Sequence, residues 1–343
     1  MAGKTTGDEA AAERLFELVG SSWISQALYV AAELKLADLL GDSPKTVDQL
    51  AEATGADRAA LGRLLGALST LEVCAQRGDA FELLPLGESL RADAEYSIRA
   101  WTLNWGKYLW PLWAQLLESV RTGKSAREVL EGSTAFEHLA KDPERAAIFN
   151  QAMVDLTRLV CRGVVRAYDF SGVRVVADVG GGYGQLLEAI LRAHAGLRGM
   201  LVDLPHAMEQ ARRRFRDNGL AERCEFITES FFDSVPAGAD LYVLKSIIHD
   251  WNDERAGIIL RNCRRAMLPT AKLLLVERVL PDRLSSSEAD RAIVMSDLNM
   301  LVALAAQERT RQQFEELLAV AGFRVARVSD AAANFSVIEA LPV

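Results

Sequence analysis

Cysteine is scarce in this chain of 343 residues: Cys74, Cys161, Cys224 and Cys263 stand far apart, with no C-x-x-C pair among them. Such spacing offers neither a zinc-ligand set nor a disulfide framework, and the expectation is reduced thiols in a cytoplasmic protein. No apolar run reaches the roughly 18 residues that span a bilayer, which argues against a helical membrane protein. Residues 1–10 are polar and have no apolar core, so they read as a loose tail and not as a secretory signal. An excess of positive charge is missing too: 39 Lys and Arg stand against 47 Asp and Glu, a formal charge of −8. Nothing here resembles a phosphate-binding footprint. What the chain does have is apolar material, half of its residues. At about 100–200 residues per domain that is enough for two packed cores.

The character of the pattern changes near Ser171. Before it, apolar residues recur at helical spacing, as in Leu15, Phe16, Leu18, Val19, Ile24, Leu28 and Val30. Thr46 caps a short helix that Gly55 closes, and Asp57 caps another over residues 58–71. A hairpin turning at Gly78-Asp79 follows. Helix, turn, helix, hairpin is the layout of a winged helix, which raises a DNA-binding regulator as one alternative. Residues 1–100 carry 16 acids against 9 bases, and the would-be recognition helix offers only Arg58 and Arg63. Phosphate contact needs a basic surface, so a buried dimer interface is the better use for this apolar segment. Four of the six tryptophans fall between Trp101 and Trp113. Helix core is the ordinary role for each, but the cluster, Trp105 and Trp110 included, also suits the wall of a pocket for a flat ligand.

From Arg174 onward strands and helices alternate. Strands are expected at 175–179, 199–203, 224–228, 240–245 and 272–277, helices between them, and an antiparallel pair at 323–328 and 335–340. Continuous apolar strands between helices imply a mostly parallel sheet covered on both faces, which binds ligands beyond the carboxyl ends of its strands. The first strand runs into Asp178-Val-Gly-Gly-Gly-Tyr-Gly. Its glycines at 180, 182 and 184 let a ligand approach the backbone closely. The nicotinamide-dinucleotide fingerprint would need glycine at 185, where Gln185 stands. The next strand ends in Asp203, placed to accept two ribose hydroxyls. An NAD(P) oxidoreductase is therefore an alternative, disfavoured by the glycine spacing.

Leu244-Lys-Ser-Ile-Ile-His-Asp-Trp runs off the fourth strand and brings His249, one of only four histidines, to the same rim. General-base catalysis suits it there. A phenol of pKa about 10 is a poor nucleophile while protonated, and free imidazole at about 6.5 is a weak base for it. A carboxylate on the far ring nitrogen would correct that. Glu277, ending the fifth strand, and Glu308, in Gln307-Glu-Arg-Thr, are the acids available.

Taken in order, Asp178-Val-Gly-Gly-Gly-Tyr-Gly, Val202-Asp-Leu-Pro, Ser234-Val-Pro-Ala-Gly-Ala-Asp, Leu244-Lys-Ser-Ile-Ile-His-Asp-Trp, Val276-Glu and Gln307-Glu-Arg-Thr resemble the plant caffeate-type and bacterial antibiotic-type O-methyltransferases. The resemblance extends through Val120-Arg-Thr-Gly and the winged helix, so it covers nearly the whole chain. It implies a Rossmann-like α/β fold, a mostly parallel seven-stranded sheet, with an N-terminal, mainly helical winged-helix dimerisation domain. The expected division is 11–100 for dimerisation, 101–170 for a helical linker that contributes to the substrate pocket, and 171–343 for catalysis. It implies S-adenosylmethionine as cofactor, S-adenosylhomocysteine as product, a homodimer, and a small aromatic or polyketide-like acceptor, with no metal and no nucleic acid. His249 would be the base, with Glu277 and Glu308 beside it. Asp178, Gly180, Gly182, Asp203, Leu204, Ser230, Phe231 and Lys245 would contact the cofactor, with Asp203 on the ribose and Phe231 on the adenine. Met153, Asn299 and Met300 would line the substrate pocket, and Asp250 either orients the substrate there or opens the following helix. Some such enzymes keep fold and cofactor yet hydroxylate, decarboxylate or run pericyclic steps, so atypical chemistry is the nearest alternative. Two departures stand out: Glu229-Ser230 where relatives carry Gly-Asp, and Ala305-Ala306 where they often carry two glycines.

Overall fold

The computed structural model describes residues 5–132 and 136–343. The chain divides into two compact units, Met1–Trp110 and Pro111–Val343. The stretch 101–170, expected as a linker, is thereby shared between them.

The first unit is built from short helices around a three-stranded antiparallel sheet of Lys45–Thr46, Ala80–Leu83 and Cys74–Arg77. Local chemistry sets the boundaries. Thr46 and Gln49 form a reciprocal capping box on the helix Val47–Thr54, which Gly55 ends in the left-handed conformation. Asp57 accepts the Ala60 N–H at 2.8 Å and opens Arg58–Thr70. The hairpin turns at Gly78 with φ 63°. Leu36, Leu40, Leu50, Leu61, Leu65, Leu68 and Phe81 fill the core. Leu15, Phe16, Val19 and Trp23 stay exposed on the N-terminal helices. The aromatic segment is less regular than expected: Asn104–Leu109 forms a π-helical turn. Gly106 sits against the Tyr29 ring, where any Cβ would collide.

The second unit holds a seven-stranded sheet. Its strands are β1 (Val175–Val179), β2 (Arg198–Asp203), β3 (Cys224–Thr228), β4 (Leu241–Lys245), β5 (Lys272–Glu277), β6 (Phe323–Asp330) and β7 (Ser336–Pro342). Their order is β6-β7-β5-β4-β1-β2-β3, parallel except where β7 pairs antiparallel with β5 and β6. Helices α1 (Pro143–Ala167), α2 (Gln185–Ala193), α3 (Pro205–Asp217), α4 (Asp253–Ala266), α5 (Glu288–Leu304) and α6 (Arg311–Val320) surround it. Side chains alternate across the strands, as the pleat requires. Leu241 and Val243 join Val160, Leu187, Ile190 and Phe215 on one face. Tyr242 and Leu244 join Ile259, Leu260, Phe314 and Leu318 on the other. Each such side chain, fully withdrawn from water, contributes about 1.5–3 kcal/mol. Strand order reverses between β1 and β4, so the crevice outside their carboxyl ends is the ligand position of this topology. Among the described residues no helix is long and apolar enough to cross a membrane.

Candidate active site

On one side of that crevice lies the glycine turn between β1 and α2. Gly180, Gly182 and Gly184 have φ of 73°, 58° and 77°, a region that costs other residues about 1–2 kcal/mol. The Gly180 N–H donates to Val202 O at 2.8 Å, drawing the turn over the end of β2. Asp203 completes the link. Its carboxylate accepts the Gly182 N–H at 2.6 Å and the Leu204 N–H at 2.7 Å. A side chain on Gly180 would meet Ile247 and the Phe231 ring, so the turn closely faces the segment that leads to His249. Beneath it, burial raises Asp178 to about 7, and the Asp203 charge adds to the rise. Asp178 Oδ2 has no partner. Two crowded carboxylates under a glycine turn fit a cationic, hydroxyl-bearing cofactor, which supplies the charge and the donors that the pair lacks.

On the other side lies His249, in the short 3₁₀ turn Ile248–Asp250 just beyond β4. Ser246 leads into it in the left-handed region, φ 54°. The imidazole is 6% exposed and ringed by acids. Its Nδ1 lies 3.1 Å from Glu308 Oε1 and 3.7 Å from Glu277 Oε2, and its Nε2 lies 3.3 Å from Asp250 Oδ1. Burial opposes a charge here, but Glu308 first, then Glu277 and Asp250, outweigh it and lift His249 to about 10. Burial pushes Asp250 the other way from an ordinary carboxylate, up to about 7.

Each acid is itself held. Glu277 Oε1 accepts the N–H groups of Ile247 and Ile248 at 3.0 and 2.8 Å, so the end of β5 fastens the turn after β4. Glu308 Oε1 also accepts from the Ser296 hydroxyl at 2.8 Å, and its own N–H donates to Asp297 Oδ1 at 2.8 Å. Arg278 lies 4.0 Å from it. Despite burial, His249 and these donors hold Glu308 below the usual carboxylate range. A two-residue parallel pair, Arg309 with Val279 and Thr310 with Leu280, seats this strap.

The structure thus gathers His249, Glu277, Glu308 and Asp250 at one end of the sheet, and Asp178, Gly180, Gly182, Asp203 and Phe231 beside them. Leu204, 42% exposed, precedes α3. Ser230 Oγ accepts the Phe232 N–H, and Phe231 packs edge-on to Phe232 and Trp251. Lys245 is half-buried, donates to Ser246 Oγ at 2.9 Å and lies over the Phe335 ring. Burial pulls its pKa down to about 8, Glu277 opposing. Asn299 and the buried Met300 lie on α5, and Asn299 Oδ1 accepts the Trp113 indole N–H at 2.9 Å. Met153 lies half-buried on α1. Trp105 and Trp110 belong to the first unit, on and just after the π-helical turn. Ser296, Asp297, Arg278 and Arg309 went unnoticed in the sequence, although Ser296 and Asp297 lie one turn before Asn299 and Arg309 is the third residue of Gln307-Glu-Arg-Thr.

A sheet of this order, with a glycine turn and a strand-end acid at its switch point, defines the class: a methyltransferase using S-adenosylmethionine. The chain belongs to the O-methyltransferase family. The O-methyltransferase domain matches residues 113–324, and the O-methyltransferase dimerisation domain matches residues 16–91. Phenazine O-methyltransferase PhzM of Lysobacter antibioticus is 41% identical over 330 residues, 96% of each chain. An 8-amino-8-demethylriboflavin N,N-dimethyltransferase of Streptomyces davaonensis is 34% identical, over 97% of this chain and 96% of its own. The crystal structure of LaPhzM superposes with a TM-score of 0.93 at 40% identity, covering 97% of this chain and 99% of that one. The neocarzinostatin-biosynthesis O-methyltransferase NcsB1, solved with S-adenosylmethionine and 2-hydroxy-5-methyl naphthoic acid, superposes at 0.79 with 34% identity, covering 93% and 96%. The chain is therefore a methyltransferase of the secondary-metabolite type with S-adenosylmethionine as its cofactor, and the nicotinamide alternative falls away. Its relatives methylate nitrogen as well as oxygen.

Proposed function

We propose that the enzyme methylates a hydroxyl of a small aromatic or polyketide-like metabolite, with His249 as general base. The observation that carries this is the buried imidazole between acids, Glu308 and Glu277 on Nδ1 and Asp250 near Nε2. S-adenosylmethionine, when bound, supplies an electrophilic methyl group on sulfur. The chain's own residues do the rest. Gly180, Gly182, Asp203 and Phe231 hold the cofactor, with Asp178 beneath them. Ser230 and Lys245 contribute more indirectly, through the loop after β3 and the end of β4. Asp250, Met153, Asn299 and Met300 line the acceptor's side. Positioning the hydroxyl in line with the methyl group is the main contribution, because it converts an encounter into a unimolecular step.

His249 Nε2 takes the hydroxyl proton. With free imidazole that transfer is uphill by several pH units against a phenol of about 10. Glu308 and Glu277 remove most of the gap by stabilising the imidazolium, whose pKa is lifted to about 10. Where the imidazole is neutral, a fraction that grows as pH rises toward that value, the ion pair of phenolate and imidazolium lies close in energy to the neutral pair. The exposed apolar residues of the N-terminal helices, Phe16, Val19 and Trp23 among them, would pack in a homodimer.

A second reading rests on the N-methylating relatives. A neutral amine attacks without prior deprotonation, so the base would only collect a proton after transfer. Calorimetry with S-adenosylhomocysteine, then label transfer from S-adenosylmethionine to panels of phenols and arylamines, tests both readings. Transfer to phenols that His249→Ala abolishes while cofactor binding survives supports the hydroxyl. Transfer to arylamines alone, largely indifferent to that substitution, would replace it with nitrogen.

A further inference from the structure

We propose that Arg309 is a positioning residue of the reaction: its guanidinium clamps the turn that carries His249 onto the strap that carries Glu308. The inference rests on the reading of His249 as the base.

Arg309 is 1% exposed, among the largest fully buried side chains of the protein. Burying a guanidinium is costly unless every donor is met, and a carboxylate reaching in from solvent is a poor compensation. Asp253, its acid partner at 2.8 Å, is 70% exposed at the side chain. The buried partners are two backbone carbonyls. Nη1 donates to Ile248 O at 2.9 Å and Nη2 to Trp251 O at 2.7 Å. These oxygens bracket His249 and Asp250, the two residues that face each other across Nε2.

The turn is therefore gripped from both sides. Glu277 takes its leading N–H groups, at Ile247 and Ile248, and Arg309 takes the carbonyls of Ile248 and Trp251. Arg309 also follows Glu308 directly and pairs with Val279 in the short parallel ladder. One peptide unit thus carries the acid that polarises the imidazole and the cation that fixes the imidazole's backbone. A displacement of the strap moves both, and the 3.1 Å contact between Nδ1 and Glu308 Oε1 keeps its length. Without the clamp, a slip of about 1 Å takes that pair out of hydrogen-bond range. Arginine is the residue for this task, because its planar fork spans two carbonyls and a carboxylate together, which a compact ammonium does not.

The test compares wild type with Arg309→Met and Arg309→Lys. Four quantities are read: S-adenosylhomocysteine affinity, kcat and KM with a phenol, the pH profile, and the titration of the His249 imidazole by NMR, assigned with His249→Gln. The expected result is unchanged cofactor affinity and KM, with kcat down about a hundredfold in Arg309→Met, the scale of a 1 Å misplacement. The imidazole should titrate at lower pH, and Arg309→Lys should fall between. Should the methionine variant fail to fold, the lysine variant decides by the same downward displacement. Two outcomes overturn the proposal: an imidazole titration and kcat like wild type, or a loss of kcat that only tracks loss of cofactor binding and of melting temperature. A wild type that leaves phenols unmethylated, or a His249→Gln variant as active as wild type, would instead sink the assignment of the base. The NMR titration would still decide the clamp.

Discussion

At the mouth of β1 the crevice is shaped by backbone: three glycines with left-handed φ, the N–H groups of Gly180 and Gly182 directed by Val202 O and the Asp203 carboxylate. At the mouths of β4 and β5 it is shaped by side-chain charge, an imidazole among three acids, with Arg278 and Arg309 close by. The first construction depends chiefly on backbone shape, with Asp178, raised to about 7, beneath it. The second is a balance of buried charges, where every member is costly alone and useful together. A methyl donor that is already reactive needs only a fitted seat, whereas an acceptor hydroxyl needs its proton removed.

The contrast can be broken, most sharply by His249→Gln. It should lower kcat on a phenol by about 10³, within the range that general-base catalysis supplies, and leave S-adenosylhomocysteine affinity intact in calorimetry. Equal losses of both would mean that the two sides are not separable. Glu308→Gln should cost about 10²-fold at the alkaline end, where the imidazole is neutral in both proteins, and move the pH profile. In wild type the rate should climb through neutrality toward about 10, the pKa to which the acids lift His249, with no plateau near an ordinary histidine value. Removing the chief lifting charge moves that rise downward, measured as kcat from pH 6 to 10. The fold follows the same balance. A histidine whose pKa is raised on folding stabilises fully below its unfolded value of about 6.5, and that contribution fades as pH rises through its folded value. Gly180→Ala tests the opposite side. Left-handed strain of about 1–2 kcal/mol, together with the collision at Ile247 and Phe231, should weaken cofactor binding roughly tenfold, equally at all pH values, with kcat at saturation little changed. The smallest effect is at Ala305, which ends α5 at φ 53°. Ala305→Gly should relieve about 1 kcal/mol and raise the melting temperature by about 2–4 °C in a scan.

The backbone-built side was the more legible in sequence. The apolar strands, the glycine turn and the Asp203 strand end all carry local signals, as do the caps at Thr46 and Asp57. Glu277 and Glu308 could be named as acids, but not their division of labour. That Glu277 spends one oxygen on two backbone N–H groups while Glu308 takes the shorter contact with Nδ1 depends on how β5 and the strap meet, and no local pattern encodes that. The two-residue pairing of Val279-Leu280 with Arg309-Thr310 is too short to read by alternation. The π-helical turn at Asn104–Leu109 has helical periodicity around it, and the Gly106 contact with Tyr29 within it exists only after packing. Ala305 could be seen as a departure, and the structure supplies its meaning: a left-handed helix end where glycine would be easier.

His249 and Glu308 are separated by 59 residues, so the strong base has no existence in the unfolded or half-folded chain. Closing so long a loop must precede any gain from the contact, which places it late among the events of folding. Until the strap docks, His249 lacks Glu308, the chief of the charges that lift it. A chain clipped before Glu308 keeps the glycine turn, Asp203 and His249 but lacks the acid nearest Nδ1. The onset of turnover in a refolding experiment would therefore time the docking of the strap that carries Glu308.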